Sequence, residues 1–275
     1  MLTNYLKTNL SSTLTMNKAL PLSLLSLVAT ITSFSSIAEE QASEVQDMSD
    51  PLAVFTQGGV GITDKGLNLK VGQTYDSGKE NVAAMNVFEL KGIGGEMLGF
   101  RDNDEPMYGS VDDSIDSFRL RNFQANIKNG QGRQLDMTYD VDSETLNASY
   151  SILQALPQIG GFLNLYPLAG AGVTVQNTED DGYEIPGTFT VVGMYSKVAL
   201  TDKIWINYNP MYMHTLSGSD TYKNGNFAGD NNILTHEFAI SYQLTPRSNI
   251  RYFANWNEKV DFADGDHRIE YNYQF

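Results

Sequence analysis

The sequence contains no cysteine. Disulfide staples, thiol catalysis, cysteine-ligated zinc and iron–sulfur clusters are all excluded by that absence. It also has no basic excess: 18 Lys and Arg stand against 33 Asp and Glu, a net charge of −15. A nucleic-acid-binding role is excluded too, because phosphate recognition requires a cationic face. Trp (2) and Pro (8) are scarce, whereas Tyr (15), Phe (13) and Gly (24) are plentiful. After Ala38 no apolar run approaches the ~20 residues of a membrane-spanning helix. The 275 residues suffice for one large β domain or two small ones.

The chain opens with a targeting pattern. Asn17-Lys18 forms a short positive region, and Ala19 to Ile31 is mostly apolar around Leu22, Leu24, Leu25, Leu27 and Val28. Small residues at Ser36 and Ala38 precede Glu39-Glu40, as a signal peptidase requires. Ser and Thr break the apolar run, which is too short for an anchor. Residues 1–38 are therefore expected to be an upstream extension, up to about Thr15, followed by a cleaved signal peptide. Its removal takes away Lys7 and Lys18 and no acidic residue, leaving 16 basic and 33 acidic side chains, a net charge of −17. An exported chain of this kind ends in the periplasm, outside the cell or in the outer membrane.

Alternation decides among these. Ile269, Tyr271, Tyr273 and Phe275 share one face of a strand, and Arg268, Glu270, Asn272 and Gln274 share the other. The same period of two sets Ile250, Tyr252, Ala254 and Trp256 apart from Arg251, Phe253 and Asn255. It sets His236, Phe238, Ile240, Tyr242 and Leu244 apart from Glu237, Ser241 and Gln243. It recurs in Ile204–Met213, Leu135–Val141 and Leu67–Tyr75. Such segments match the ~10 residues of a tilted membrane strand, with the charged face turned from lipid.

The aromatic residues at alternate positions ending in Phe275 resemble the final strand of Gram-negative outer-membrane β-barrel proteins, a porin-like class and no single characterised family. The resemblance implies that Tyr271, Tyr273 and Phe275 are an assembly signal read by the barrel assembly machinery. It also implies a cell outer membrane location, in contact with outer-membrane lipid and lipopolysaccharide.

Connections read back from Phe275 alternate long and short, as periplasmic turns and external loops do. Glu258–Gly265, Ser217–Asn231, Asn177–Pro186, Asp142–Glu144 and Arg101–Asp113 fall on the external side. Thr245–Arg247, Leu200–Asp202, Pro157–Gly161, Lys128–Gly132 and Gly92–Gly95 fall on the periplasmic side. Ser217–Asn231 is polar, with three glycines and no helical pattern. The expected fold is all-β: a single up-and-down antiparallel transmembrane β-barrel over 66–275, of about twelve strands. It begins with an upward strand from Gly66, and Asp76–Asn81 lies outside. A ten-strand pairing stays open, because Val82–Phe100 must be split at Gly92–Gly95. Ser114–Ile127 is expected to change phase near Asn122, as at a bulge. Residues 39–65 lack clean alternation and are expected to be a periplasmic tail, with a plug folded into the lumen as the alternative.

Catalytic patterns are absent. Two positions after His214, His236 and His267 stand Leu216, Phe238 and Ile269, so the His-x-Ser of barrel lipases is missing, as is the Asp-x-His of barrel proteases. The three histidines fall on the outward parity near external strand ends and read as an interfacial girdle; no metal site or cofactor is expected. The inward parity carries Lys70, Glu89, Arg119, Asp136, Asp140, Glu237, Arg251, Arg268 and Glu270. In a channel these would orient solutes; in a closed barrel they would pair and fill the interior. The expectation is a narrow porin-like channel for small hydrophilic solutes, without catalysis. The alternative is a closed structural or surface-interaction barrel. Acidic residues in expected external loops, at Asp102, Asp104, Glu105, Asp112, Asp113, Glu179, Asp180, Asp181 and Glu184, predict weak cation preference.

Overall fold

A computed structural model describes residues 45–63, 65–95, 117–178 and 182–275. Twelve strands alternate in direction: β1 (Gln57–Thr63), β2 (Gly66–Asp76), β3 (Val82–Ile93), β4 (Ser117–Asn126), β5 (Gln131–Asp140) and β6 (Thr145–Gln154), then β7 (Leu163–Thr178), β8 (Gly182–Ala199), β9 (Ile204–Gly218), β10 (Asn232–Thr245), β11 (Ser248–Asn257) and β12 (Asp266–Gln274). Each pairs antiparallel with its chain neighbours, and β1 closes onto β12 with Gln57 opposite Gln274 and Thr63 opposite Arg268. Closure leaves no free sheet edge. A six-residue helix, α1 (Asp220–Gly225), interrupts the β9–β10 connection, and a 3-10 turn at Phe262–Asp264 precedes β12.

The total of twelve matches expectation, but two strands are assigned differently. Residues 57–63, expected to lie outside the barrel, form β1. Its alternation is masked by glycine. A Cβ at Gly59 would sit 2.7 Å from Asn272 Oδ1 and 3.0 Å from Lys70 Cε, so the missing side chain makes room for lumenal polar groups. In compensation, β3 runs from Val82 to Ile93 into a turn at Gly94–Gly95 and pairs directly with β4, so no strand stands between the expected Gly92–Gly95 turn and β4 in the sheet. The piece expected after that turn, 96–100, and the whole of the 101–113 loop lie outside the described residues. Directions before that loop are therefore reversed. β2 runs toward the rim that carries Phe275, hereafter the lower rim, and the Asp76–Asn81 turn lies there and not at the upper rim.

No bulge occurs near Asn122. The β4 ladders to β3 and β5 are continuous from Ser117 to Asn126. Asn122 and Gln124 stay on the outer face, where both donate to the Tyr75 hydroxyl, at 2.7 and 3.4 Å. Polar residues on the outward parity are tolerated there because they bond to one another close to the lower rim. The β9–β10 connection, expected to lack helix, contains α1. Six residues are too few to show an amphipathic period, and the helix is fixed by its cap and one anchor. The Ser219 hydroxyl accepts from the Tyr222 amide at 3.1 Å, and Tyr222 is buried.

Large apolar side chains are exposed all around the outside: Val60, Val71, Phe88, Leu120, Ile152, Val192, Tyr212, Ile240, Ile250 and Ile269 among them. The barrel is thus turned inside out relative to a soluble sandwich, with its buried face rich in Asn, Gln, Ser, Glu and Arg.

Candidate functional site: the barrel lumen

Charged side chains from β2–β5 and β12 meet in the lumen. Arg119 on β4 binds Asp136 on β5 through both Nε (2.9 Å) and Nη2 (2.6 Å), the bidentate geometry that a guanidinium gives a carboxylate. Glu89 on β3 accepts from Arg121 Nη2 and has Lys91 Nζ at 4.0 Å. Lys70 on β2 reaches over β1 to Glu270 on β12, at 2.5 Å. On the intervening β1, Gly59 stands opposite Lys70 and a Cβ there would sit 3.0 Å from Lys70 Cε, so the missing side chain lets the pair form. Arg268 lies 3.4 Å from Glu270 through Nε. Around β9–β11 the partners are neutral. Arg251 donates to Ser241 Oγ at 2.9 Å and to Asn207 Oδ1 at 2.8 Å, and Asn209 donates to Glu237 at 2.7 Å. Arg251 and Arg268 both stack on Phe253, with Cζ 4.6 and 4.2 Å from the ring centroid.

Eight of the nine inward charges named from sequence fall within or beside this belt. Asp140 does not. It lies exposed at the upper end of β5, where its carboxylate accepts from the Ser143 amide and hydroxyl at 2.8 and 2.7 Å and so caps the β5–β6 turn. Arg121 and Lys91 were missed, though each stands two residues beyond a named charge, Arg119 and Glu89. Continuing the parity would have found both. Asn207, Asn209 and Tyr195 carried no signal beyond parity, because neutral polar residues are common on any lumenal face. Of the acidic loop residues, 102–116 and 179–181 lie outside the described residues.

The opposite part of the lumen is apolar. Leu153, Tyr166, Leu168 and Val191 pack together from β6, β7 and β8, with Tyr195, Met211 and Met213 against them. Above this cluster the β9–β10 connection folds inward. Tyr222 lies over Gly187, where a Cβ would overlap its ring, and its hydroxyl is 3.0 Å from Thr174 Oγ1. Phe227 meets Phe189 edge-on at 6.1 Å.

Residues 45–56 cross the lower half of the lumen as a strap. Gln46 exchanges hydrogen bonds with Gln274 at 3.0 and 2.9 Å. Asp47 pairs with Lys197 at 3.0 Å, and Asp50 accepts from the Tyr166 hydroxyl at 3.0 Å. Met48 is buried beside Gln243 and Asn249, and Leu52 packs on the apolar cluster. Burial alone would raise the Asp47 carboxyl pKa. The Ser49 hydroxyl and amide and the Lys197 ammonium outweigh burial and hold it below its ordinary value. Above the strap lies a cavity of about 170 Å³, floored by Met48–Asp50 and Phe55 and walled by Lys70, Arg121, Arg251, Arg268 and Glu270 among others.

The histidines stand on the outer face toward the upper rim. Tyr208 and Tyr252 hydroxyls lie 2.8 Å from Nδ1 of His236 and His267. His236 stacks on Trp256 at 5.0 Å, and His214 on Tyr212 at 6.4 Å. Among the described residues no three His, Asp or Glu side chains are grouped as metal ligands.

No family model and no curated protein matches the chain. Among solved structures it is similar to the NanC porin, with 8% identity over 81% of this chain and 99% of that one and a TM-score of 0.47. It is also similar to the KdgM porin, with 8% identity over 81% and 99% and a TM-score of 0.40. The translocator domain of the autotransporter NalP from Neisseria meningitidis gives 12% identity over 90% and 98%, with a TM-score of 0.41. These likenesses lie in the barrel of strands, and none assigns a role to a residue described above.

Proposed function

We propose that this chain is an outer-membrane β-barrel whose lumen passes small hydrophilic solutes without transforming them. The exposed apolar belt is the lipid-facing surface, the lower rim faces the periplasm, and the alternating Tyr271, Tyr273 and Phe275 serve the assembly machinery. The observation that carries the reading is the lumen itself. It is lined by paired charges and amides, and it keeps a cavity of about 170 Å³ where a barrel built only to span would be filled with side chains. Planar-bilayer recording of the purified protein tests it. Discrete conductance steps are expected, and electrical silence under all voltages would overturn it.

The strap favours a second reading, a closed barrel, because residues 45–56 are tied to four sides of the lower lumen. A variant with Met48→Gly and Leu52→Gly separates the two. If the strap only narrows a path, the wild type conducts and the variant conducts more. If it seals the barrel, the variant alone conducts.

A further inference from the structure

We propose that the cavity above the strap binds a small solute carrying one carboxylate, held by the Arg251 and Arg268 guanidiniums that stack on Phe253. The site rests on the lumenal reading only in that the solute arrives through the barrel. The chain as a whole is strongly acidic, at −15, yet its cavity wall is not. Lys70, Arg119, Arg121, Arg251 and Arg268 line it against Asp50, Glu89, Glu237 and Glu270, and with the bonded neighbours Lys91 and Asp136 counted there are six cations to five anions. Excess cation inside an acidic protein therefore lies where a solute would lodge.

The pairing identifies the free cation. Arg119 is matched by Asp136, Arg121 by Glu89 and Lys70 by Glu270. Among the described residues Arg251 has no carboxylate within salt-bridge distance. Its partners are a serine hydroxyl and an asparagine carbonyl, both neutral. Arg268 shares Glu270 with Lys70, and its buried Nε is too poorly aligned at 3.4 Å to form a hydrogen bond. That Nε is sealed behind the side chain, but the Nη groups of Arg268 make no hydrogen bond among the described residues and are not sealed from the cavity, and an arriving carboxylate can accept from them. Both guanidiniums are fixed by stacking on one ring, so the pair is organised before the solute arrives. A surplus of one charge suits a monoanion. A dianion would face Glu89, Glu237 and Glu270 with its second charge unmatched. The volume exceeds by far the ~10–15 Å³ needed for one water and accommodates a small organic acid.

The test is equilibrium binding to the folded, full protein in detergent micelles and chloride-free buffer, with propionate and its neutral counterpart propionamide as probes. The chain has seven arginines, so their Nε–H nuclear magnetic resonance signals are few and can be assigned by substitution. Propionate should move the Arg251 and Arg268 signals saturably while propionamide leaves them in place. Arg251→Gln should weaken binding about tenfold, as loss of one charge-assisted contact implies, read on the Arg268 signal. Should that variant not fold, Glu237→Gln serves instead: it removes a competing carboxylate from the cavity and should tighten propionate binding. Equal shifts with both probes, no shift with either, or unchanged affinity in the variants would overturn the site. Tighter binding of inorganic phosphate than of propionate would overturn the carboxylate assignment. Electrical silence together with saturable binding would remove the channel reading and leave the site standing.

Discussion

The two sides of the lumen are built on different physics. From β6 to β9 the inner face packs like the core of a soluble protein, with Leu153, Tyr166, Leu168 and Val191 buried against one another and the strap. From β1 to β5, along the lower half of β9 and from β10 to β12 it is a lattice of ion pairs and amides around a cavity. The strands differ as well. β7, β8 and β9 have 16, 18 and 15 residues, half again as long as the ~9–11 that cross a bilayer. Their upper ends carry the inward-folded loop with α1. The tall apolar wall gives stiffness and closes one side. The shorter charged wall leaves the space in which solute chemistry can occur. A barrel of twelve strands is too wide for one layer of side chains to fill evenly, and this one divides the task.

The charged wall should break hardest. Asp136→Ala leaves the partly buried Arg119 guanidinium without its bidentate partner, and the expected loss is about 3 kcal/mol, the low end for a broken buried pair, in reversible unfolding from lipid. A loss under ~1 kcal/mol, the value of a solvated surface pair, would mean that water already fills the belt and that the two walls differ less than their side chains suggest. On the apolar wall, Leu168→Ala removes a buried side chain from the cluster and should cost about 2–5 kcal/mol, the range for a core cavity. A near-neutral result would show that this wall is loosely packed and the lumen wider than the cavity.

Outer and inner faces sharpen the comparison further. Val192 points away from the lumen on β8 and is exposed, while Val191 beside it lies in the apolar cluster. Val192→Arg should cost about 2–4 kcal/mol in a bilayer if it lies near the midplane, and much less in detergent, where the headgroup is reached easily. An equal cost in both media would deny that this face meets lipid.

Much of this was legible in the sequence, where the strands outside β1 and the apolar wall carried large residues on one parity and polar ones on the other. β12, β10, β9, β5 and β2 follow the faces read from Ile269, Ile240, Tyr208, Met137 and Val71. β1 was illegible because Gly58, Gly59 and Gly61 erase the contrast between faces, and they do so because neighbouring strands fill the space they leave. The inward charges followed from parity, but their pairing did not. Lys70 meets Glu270 across an intervening strand, 200 residues away in sequence, and no local pattern reports such a distance. The strap was hidden for a related reason. Residues 45–56 have no period of their own, and their placement depends on single contacts to β7, β8 and β12.

The strap should show the smallest effect and the clearest sign. The Asp47 side chain is largely exposed, so its pairing with Lys197 is worth only about 0–1 kcal/mol. Its carboxyl is nevertheless held below the ordinary value, against the opposing effect of its partial burial, by the Ser49 hydroxyl at 2.5 Å, the Ser49 amide at 2.9 Å and the Lys197 ammonium at 3.0 Å. A depressed carboxyl stabilises the docked strap in full above the free value of ~3.9. The stabilisation is lost as pH falls through the lower, docked value. The strap should therefore loosen only in acid and be indifferent to pH near neutrality. Because the chain lacks cysteine, Ala53→Cys offers one labelling site within the strap, facing the cavity. A polarity-sensitive dye there should shift to the red on acidification below about pH 4. With Asp47→Asn added, the dye should show a small red shift already at neutral pH and little further change in acid. A pH response that survives Asp47→Asn would place the acid-sensitive contact elsewhere, with Asp50 and its Tyr166 hydroxyl the next pair to remove. A dye that never responds would show that Met48 and Leu52 hold the strap by packing alone, so that the apolar wall and not the charged one governs the lower mouth.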